Sequence, residues 1–306
     1  VEKFAIGQSV RRLEDPHLVQ GLGRYSDDVN LARQAYAVVV RSTHAHARVR
    51  GIDAAAALKA PGVLAVLTGA DLAADGLGDL PTDASRKRRD GSPAFTTPRP
   101  ALIRERVRHV GDPLALVVAE RPEQAADGAA HVVVEYEPLA TVAGALAATR
   151  PGAPAVWDEA PDNVAFVWEA GSRDAVARAF EQAAHVTRLE FVVTRVAAAP
   201  LEPRAAVGEF DRRSGRYTLH TGIQAPHGLR TLLAERIFRV PQSSVRVVTG
   251  DVGGSFGMRS GIYPELVLVL WAAKRLGRPV KWTSDRREGF VSDEHGRDNV
   301  SSAELA

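Results

Sequence analysis

Cysteine is absent from this chain of 306 residues. That excludes disulfides, a cysteine nucleophile and any iron–sulfur cluster held on thiolates. A dominant charge is missing too. Lys and Arg number 39 against 37 acids, a formal net charge of +2, which makes no electrostatic case for nucleic acid or a membrane surface as partner. No apolar run approaches the roughly 20 residues of a spanning helix. No secretory leader is visible from Val1 onward, so a cytoplasmic location is the expectation. Neither a G-x-G-x-x-G dinucleotide loop nor a Gly-Lys-Ser/Thr phosphate loop occurs. Aromatic residues make up only 6% of the chain, so a single Phe inside a run of glycines stands out.

That run is Gly250-Asp251-Val252-Gly253-Gly254-Ser255-Phe256-Gly257-Met258-Arg259-Ser260. It follows the β-branched Val245-Arg246-Val247-Val248-Thr249 and precedes a well-punctuated helix. Its glycines allow left-handed backbone and close approach to something bulky. Consecutive N–H groups in such a loop can point at an anion or an oxo group. Upstream, Thr221-Gly222-Ile223-Gln224-Ala225-Pro226-His227 joins an expected strand at 216–220 to an expected helix at 226–238. Gln224 is a neutral amide at the strand end, able to donate without bringing a charge. Further upstream, prolines flank Leu201-Glu202 in Ala199-Pro200-Leu201-Glu202-Pro203-Arg204, which pins an extended segment.

Taken together, these segments resemble the molybdenum hydroxylases, the family of xanthine dehydrogenase, aldehyde oxidase and aerobic carbon monoxide dehydrogenase. The family's Glu-Pro-Arg, Gln-x-Pro-His and Gly-Gly-x-Phe-Gly segments read here as Glu202-Pro203-Arg204, Gln224-Ala225-Pro226-His227 and Gly253-Gly254-Ser255-Phe256-Gly257. The pattern continues through Leu276-Gly277-Arg278-Pro279-Val280-Lys281-Trp282 and His295-Gly296-Arg297-Asp298. Toward the N-terminus, Arg11-Arg12-Leu13-Glu14-Asp15-Pro16, Gly21-Leu22-Gly23-Arg24-Tyr25, Ser42-Thr43-His44-Ala45-His46-Ala47 and Val110-Gly111-Asp112-Pro113 resemble the "hammerhead" domain that opens the family's large subunit.

The resemblance implies an α+β fold: an α/β hammerhead domain over 1–140, a linker at 141–161, and the first part of a molybdopterin-binding α+β domain at 162–306. It implies hydroxylation of a carbon with oxygen derived from water. The cofactor is molybdenum–molybdopterin, in its cytosine dinucleotide form. Iron–sulfur clusters and FAD sit on partner chains, and the rest of the molybdopterin-binding part and a small-molecule substrate complete the partners. Gln224 and Phe256 are the expected catalytic residues. Gln224, Gly253, Gly254, Ser255, Phe256 and Gly257 are the expected cofactor contacts, and Phe256, Met258 and Ser260 the expected substrate pocket. No residue is expected to ligate the metal directly. In the family the catalytic base is a glutamate near the far C-terminus. The start at Val1 and the end at Ala306 in mid-strand therefore read as one piece of a longer subunit.

Ser260 stands where purine-hydroxylating members carry an acid. That argues against xanthine and leaves an N-heteroaromatic, an aldehyde or a related ketone, with the N-heterocycle favoured. A non-catalytic assembly or docking subunit is the alternative, and retention of Gln224, Gly253, Gly254 and Phe256 argues against such decay. An α/β-hydrolase reading has no His/Asp set beside Ser255 to support it.

Strands are expected at 35–40, 63–67, 114–119, 131–136, 164–169 and 185–194, and helices at 53–58, 121–130 and 172–182. A hairpin turns at Arg212-Arg213-Ser214-Gly215. The best-marked helix begins at Pro264 and stops before Gly277, with an apolar middle from Leu266 to Trp271. The polar stretch 76–100, with Arg86-Lys87-Arg88-Arg89, is expected to be a solvated loop. His44 and His46 are expected on one side of a strand, supporting packing rather than zinc. Glu202 and Arg204 are expected to form a structural ion pair, and His295 and Asp298 to order the segment that follows.

Overall fold

The structure, a computed structural model, describes residues 7–82 and 85–306; positions 1–6 of the expected first unit and 83–84 of the expected loop lie outside the described residues. A short helix α1 (Asp15–Val19) leads to strand β1 (Ala35–Arg41), whose alternate residues Ala35, Ala37 and Val39 are buried. Next come β2 (Ala47–Asp53), α2 (Ala55–Lys59), β3 (Val63–Thr68), α3 (Gly69–Ala74), β4 (Arg106–Val107), β5 (Pro113–Ala119), α4 (Pro122–Ala130) and β6 (Val133–Pro138). The second half holds α5 (Ala145–Ala148), α6 (Arg173–Gln182), β7 (Thr187–Val193), β8 (Val196–Ala197), β9 (Ala205–Asp211) and β10 (Arg216–Thr221). Helix α7 (Pro226–Thr231) follows and continues as a π-helical stretch, Leu232–Phe238. The chain then runs through β11 (Val245–Val248), α8 (Pro264–Leu276), β12 (Val280–Thr283), α9 (Arg286–Ser292), β13 (His295–Gly296) and β14 (Asn299–Leu305).

Seven strands form one mixed sheet in the order β11-β10-β9-β12-β1-β5-β3. The expected halves 1–140 and 162–306 therefore contribute to the same sheet, joined where β1 pairs in parallel with β12. β5 is apolar along its whole length and buried at every position, as expected of a strand with a neighbour on each side and helices packed over it. The main core centres on α8, buried from Glu265 to Ala273 and packed against β9, β10 and β12. Its boundaries follow the sequence cues: Pro264 opens it, and Gly277 closes it in the left-handed conformation. Smaller sheets, β4-β2-β6, β7-β14 and β8-β13, flank this frame. Among the described residues, no helix is long and apolar enough to cross a membrane.

The structure revises several local expectations. Residues 164–169 form no strand; they have an isolated bridge between Val167 and Lys87 and a bond from the Phe95 N–H to the Ala165 carbonyl at 2.8 Å, and an extended segment without a continuous ladder stays irregular. Strand β2 went unseen because Arg48, Arg50 and Gly51 dilute its apolar alternation. The helix expected at 53–58 starts later, at Ala55, because Asp53 completes β2 and its carboxylate accepts the Ala55 N–H at 2.8 Å. His44 and His46 lie in the turn between β1 and β2, not along a strand. There His44 stacks on Tyr136, and His46 Nδ1 bonds the Ala140 carbonyl at 2.8 Å.

Candidate functional site

Sheet topology brings the three motif segments together. β10 and β11 pair in parallel, so the chain leaves both at the same end of the sheet. One exit is Gly222-Ile223-Gln224, and the other is the glycine loop. β9 is antiparallel to β10 with Ala206 opposite Thr221, so the segment entering β9, residues 199–204, arrives at that end too. The helical crossover 226–238 between the two parallel strands makes this a β-α-β unit, in which ligand sites form beyond the carboxyl ends of the strands.

Arg259 ties the segments to one another. Its side chain is 1% exposed. Nε donates to the Gly254 carbonyl at 3.0 Å, and Nη2 donates to the Glu202 carbonyl at 2.6 Å and pairs with the Glu202 carboxylate at 3.1 Å. Nη1 lies over Gly222, where a Cβ would sit only 2.7 Å away. Glu202 in turn accepts the Gly253 N–H at 2.7 Å and the Ser26 N–H at 3.3 Å. The expected Glu202–Arg204 pair is thus corrected. Glu202 pairs with Arg259, while Arg204 turns the other way, to Glu265 at 2.7 Å and Asp293 at 2.6 Å.

Gln224 is exposed at the lip of this end. Its backbone N–H donates to the Arg259 carbonyl at 2.9 Å, and its side-chain oxygen accepts from the hydroxyls of Ser255 and of Ser260, the latter at 3.0 Å. Among the described residues nothing accepts from its Nε2. Within the loop, Gly254 has φ +108°, and a Cβ there would meet Pro200 Cβ at 3.0 Å. Phe256 adopts φ 53° and is 80% exposed. No partner among the described residues takes the N–H groups of Gly254, Ser255, Phe256 and Gly257. Four consecutive donors without a partner among the described residues thus lie in the loop whose Ser255 and Ser260 bond the Gln224 amide, an arrangement suited to an oxo-bearing or anionic group.

The Gly253–Gly257 stretch also spells G-x-S-x-G, the pattern of a hydrolase nucleophile elbow. Ser255 is not set up as a nucleophile. Its hydroxyl faces Gln224 and accepts the Arg259 N–H at 3.2 Å, and no His bonds it.

Comparison with known proteins decides the family. Residues 20–140 match the aldehyde oxidase and xanthine dehydrogenase a/b hammerhead domain, and residues 156–306 match the molybdopterin cofactor-binding domain. The chain belongs to the aldehyde oxidase and xanthine dehydrogenase family. It is 35% identical to the nicotine 6-hydroxylase large subunit of Paenarthrobacter nicotinovorans over all of this chain, and 35% identical to the carbon monoxide dehydrogenase large chain of Afipia carboxidovorans over 98% of it. The chain spans 36% and 37% of those proteins' lengths. Among solved structures, quinoline 2-oxidoreductase from Pseudomonas putida 86 superposes with a TM-score of 0.86 at 35% identity, covering 98% of this chain and 37% of that one. A Cu,Mo carbon monoxide dehydrogenase gives 0.88 at 34%, covering 98% and 38%.

Of the residues singled out in sequence, Gln224 bonds Ser255 and Ser260, and Phe256 and Gly257 lie exposed in the same loop. Met258 is buried, 3% exposed, with its carbonyl accepting from Tyr263 Oη at 2.7 Å. Gly253 is placed at the loop's root, where its N–H is taken by Glu202. His295 and Asp298 stand apart, both facing Arg195. Arg259 is the residue that sequence reasoning passed over. A lone arginine beside a glycine loop looks like a solvated charge, and only its burial shows otherwise.

Proposed function

We propose that this chain is the part of a molybdopterin-binding subunit that presents hydrogen-bond donors to the molybdenum cofactor, in an enzyme that hydroxylates an N-heteroaromatic ring. The observation that carries this reading is the convergence of the Gln224 amide and the unpartnered N–H groups from Gly254 to Gly257 at one end of the sheet. When bound, the cofactor supplies redox chemistry that places a water-derived oxygen on a carbon, the electrons leaving to iron–sulfur and FAD groups on partner chains.

The chain's own residues fit such a group. Gln224 Nε2 donates without adding charge, so it favours acceptor oxygens irrespective of their ionisation. The loop N–H groups are preorganised by Arg259 and cost no reorganisation when charge develops opposite them. Glu202 is paired with Arg259 and accepts two backbone N–H groups, which offsets its repulsion of an anionic cofactor. The exposed Phe256 ring offers an apolar face for a planar heterocycle. The cytosine dinucleotide form of the cofactor and a cytoplasmic location complete the reading. The N-heteroaromatic substrate is supported by the likeness to proteins named for nicotine and quinoline and by Ser260, which brings no charge to the pocket.

The test is turnover of the native complex, purified with its molybdenum and pterin contents measured, on N-heteroaromatics against aldehydes. Gln224→Ala is expected to fold normally and lose roughly 10²–10³ in rate, the typical cost of one preorganised donor. Wild-type turnover by that variant at full molybdenum occupancy removes Gln224 from the site.

A further inference from the structure

We infer that Ser260, acting with Ser255, is a positioning residue that sets which end of the Gln224 amide faces outward. This rests on the role of Gln224 proposed above. The oxygen and nitrogen ends of a glutamine amide have nearly the same shape, and its last torsion is broad and roughly two-fold. An exposed Gln224 without restraint would therefore present an acceptor as readily as a donor.

Here the restraint is built from the loop. Gln224 Oε1 accepts from both the Ser255 and the Ser260 hydroxyls. Each hydroxyl has one proton to give. Ser255 Oγ accepts the backbone N–H of Arg259 and gives its own proton to Gln224 Oε1. That backbone donor cannot drift, because the Arg259 side chain is buried and bonded to Gly254 and Glu202. Gln224's own N–H donates to the Arg259 carbonyl, so both ends of the residue are tied to one loop. Turning the amide over would leave both serine protons without their acceptor and would aim an N–H group at Ser255 Oγ, which already accepts the Arg259 N–H. The stable orientation is oxygen inward, Nε2 outward. With its proton given to Gln224, Ser260 has none to offer a substrate, so its effect on specificity is indirect.

In the assembled holoenzyme, Ser260→Ala is expected to lower kcat about fivefold to tenfold, the worth of one neutral hydrogen bond. KM should stay within about twofold, because the lost contact is not to ground-state substrate. Molybdenum content should hold, and the molybdenum paramagnetic resonance spectrum should shift in the same direction as in Gln224→Ala. Ser255→Ala should shift it likewise, and Ser260→Thr, which keeps the hydroxyl, should restore both rate and spectrum. A Ser260→Ala enzyme with unchanged kcat and spectrum overturns the inference, as does a rise in KM alone, which would mark a direct substrate contact. If Gln224→Ala is impaired while Ser260→Ala is silent, only the positioning role falls. A silent Gln224→Ala removes both that role and the functional reading beneath it.

Discussion

Arg259 gives its hydrogen bonds to the backbone and carboxylate of the segments that meet at the glycine loop, and its Nη1 is buried against Gly222 without a partner. Burial pushes its guanidinium below the ordinary value while Glu202 opposes the shift; an arginine stays protonated regardless. Gly254 has no room to change: φ is +108° and the Cβ direction points at Pro200. Gly254→Val is expected to fold yet lose most of its bound molybdenum, measured by metal analysis of the purified complex. Full molybdenum content in that variant would show that the loop does not hold the cofactor. At this scale the segments holding Gln224 and Phe256 could be singled out in the sequence because their neighbours form short motifs. Arg259 was not, since nothing local distinguishes a buried arginine from a solvated one.

Among the elements, α8 sets the site's floor. Leu268, Val269 and Leu270 are fully buried, and the helix lies against β9, the strand entered from Glu202-Pro203-Arg204. Leu268→Ala is expected to cost about 2–5 kcal/mol, the usual range for a cavity left by a buried leucine. Denaturant unfolding would check it, with an unchanged midpoint counting against the packing described. α8 was readable because proline, a first-turn acid, last-turn cations and glycine all mark its ends. Residues 164–169 look as β-like in sequence as many true strands do. They fail to become one because strand identity depends on a continuous neighbour, and here there are only single contacts with Lys87 and Phe95.

Across the whole molecule, a buried charge cluster joins the two halves. Arg41, from β1, bonds Glu265 of α8 and pairs with Glu288 of α9 at 2.6 Å, while Arg204 joins Glu265 to Asp293. Burial alone would raise the Glu265 carboxyl, but Arg204 and Arg41 overcome it and hold it down to about 2. Its contribution is therefore fully present above its ordinary value of 4.5 and is lost as pH falls toward 2. Burial pushes the neighbouring Glu288 carboxyl up, only partly opposed by Arg41. Glu265→Gln removes the carboxylate that two buried guanidinium groups share, leaving Arg41 with Glu288 and Arg204 with Asp293, and is expected to cost about 3–5 kcal/mol at neutral pH. In thermal melts against pH, the gap between wild type and Glu265→Gln should narrow below about pH 4.5 and nearly close near pH 2. A gap that stays constant over that range would assign the loss to packing instead.

The amino-acid sequence by itself determined the chain's family, the order of its motifs, the glycine loop after a strand, and the caps of α8. These are local patterns, written within a dozen or so neighbouring residues. Tertiary structure alone decided that β1 and β12 join the halves into one sheet and that Glu202 meets Arg259 rather than Arg204. It also decided that both serine hydroxyls reach the Gln224 oxygen. Those outcomes depend on which segments the parallel pairing of β10 and β11 delivers to one end of the sheet. A buried charge takes the partner that packing places within reach, and separation along the chain does not encode that choice.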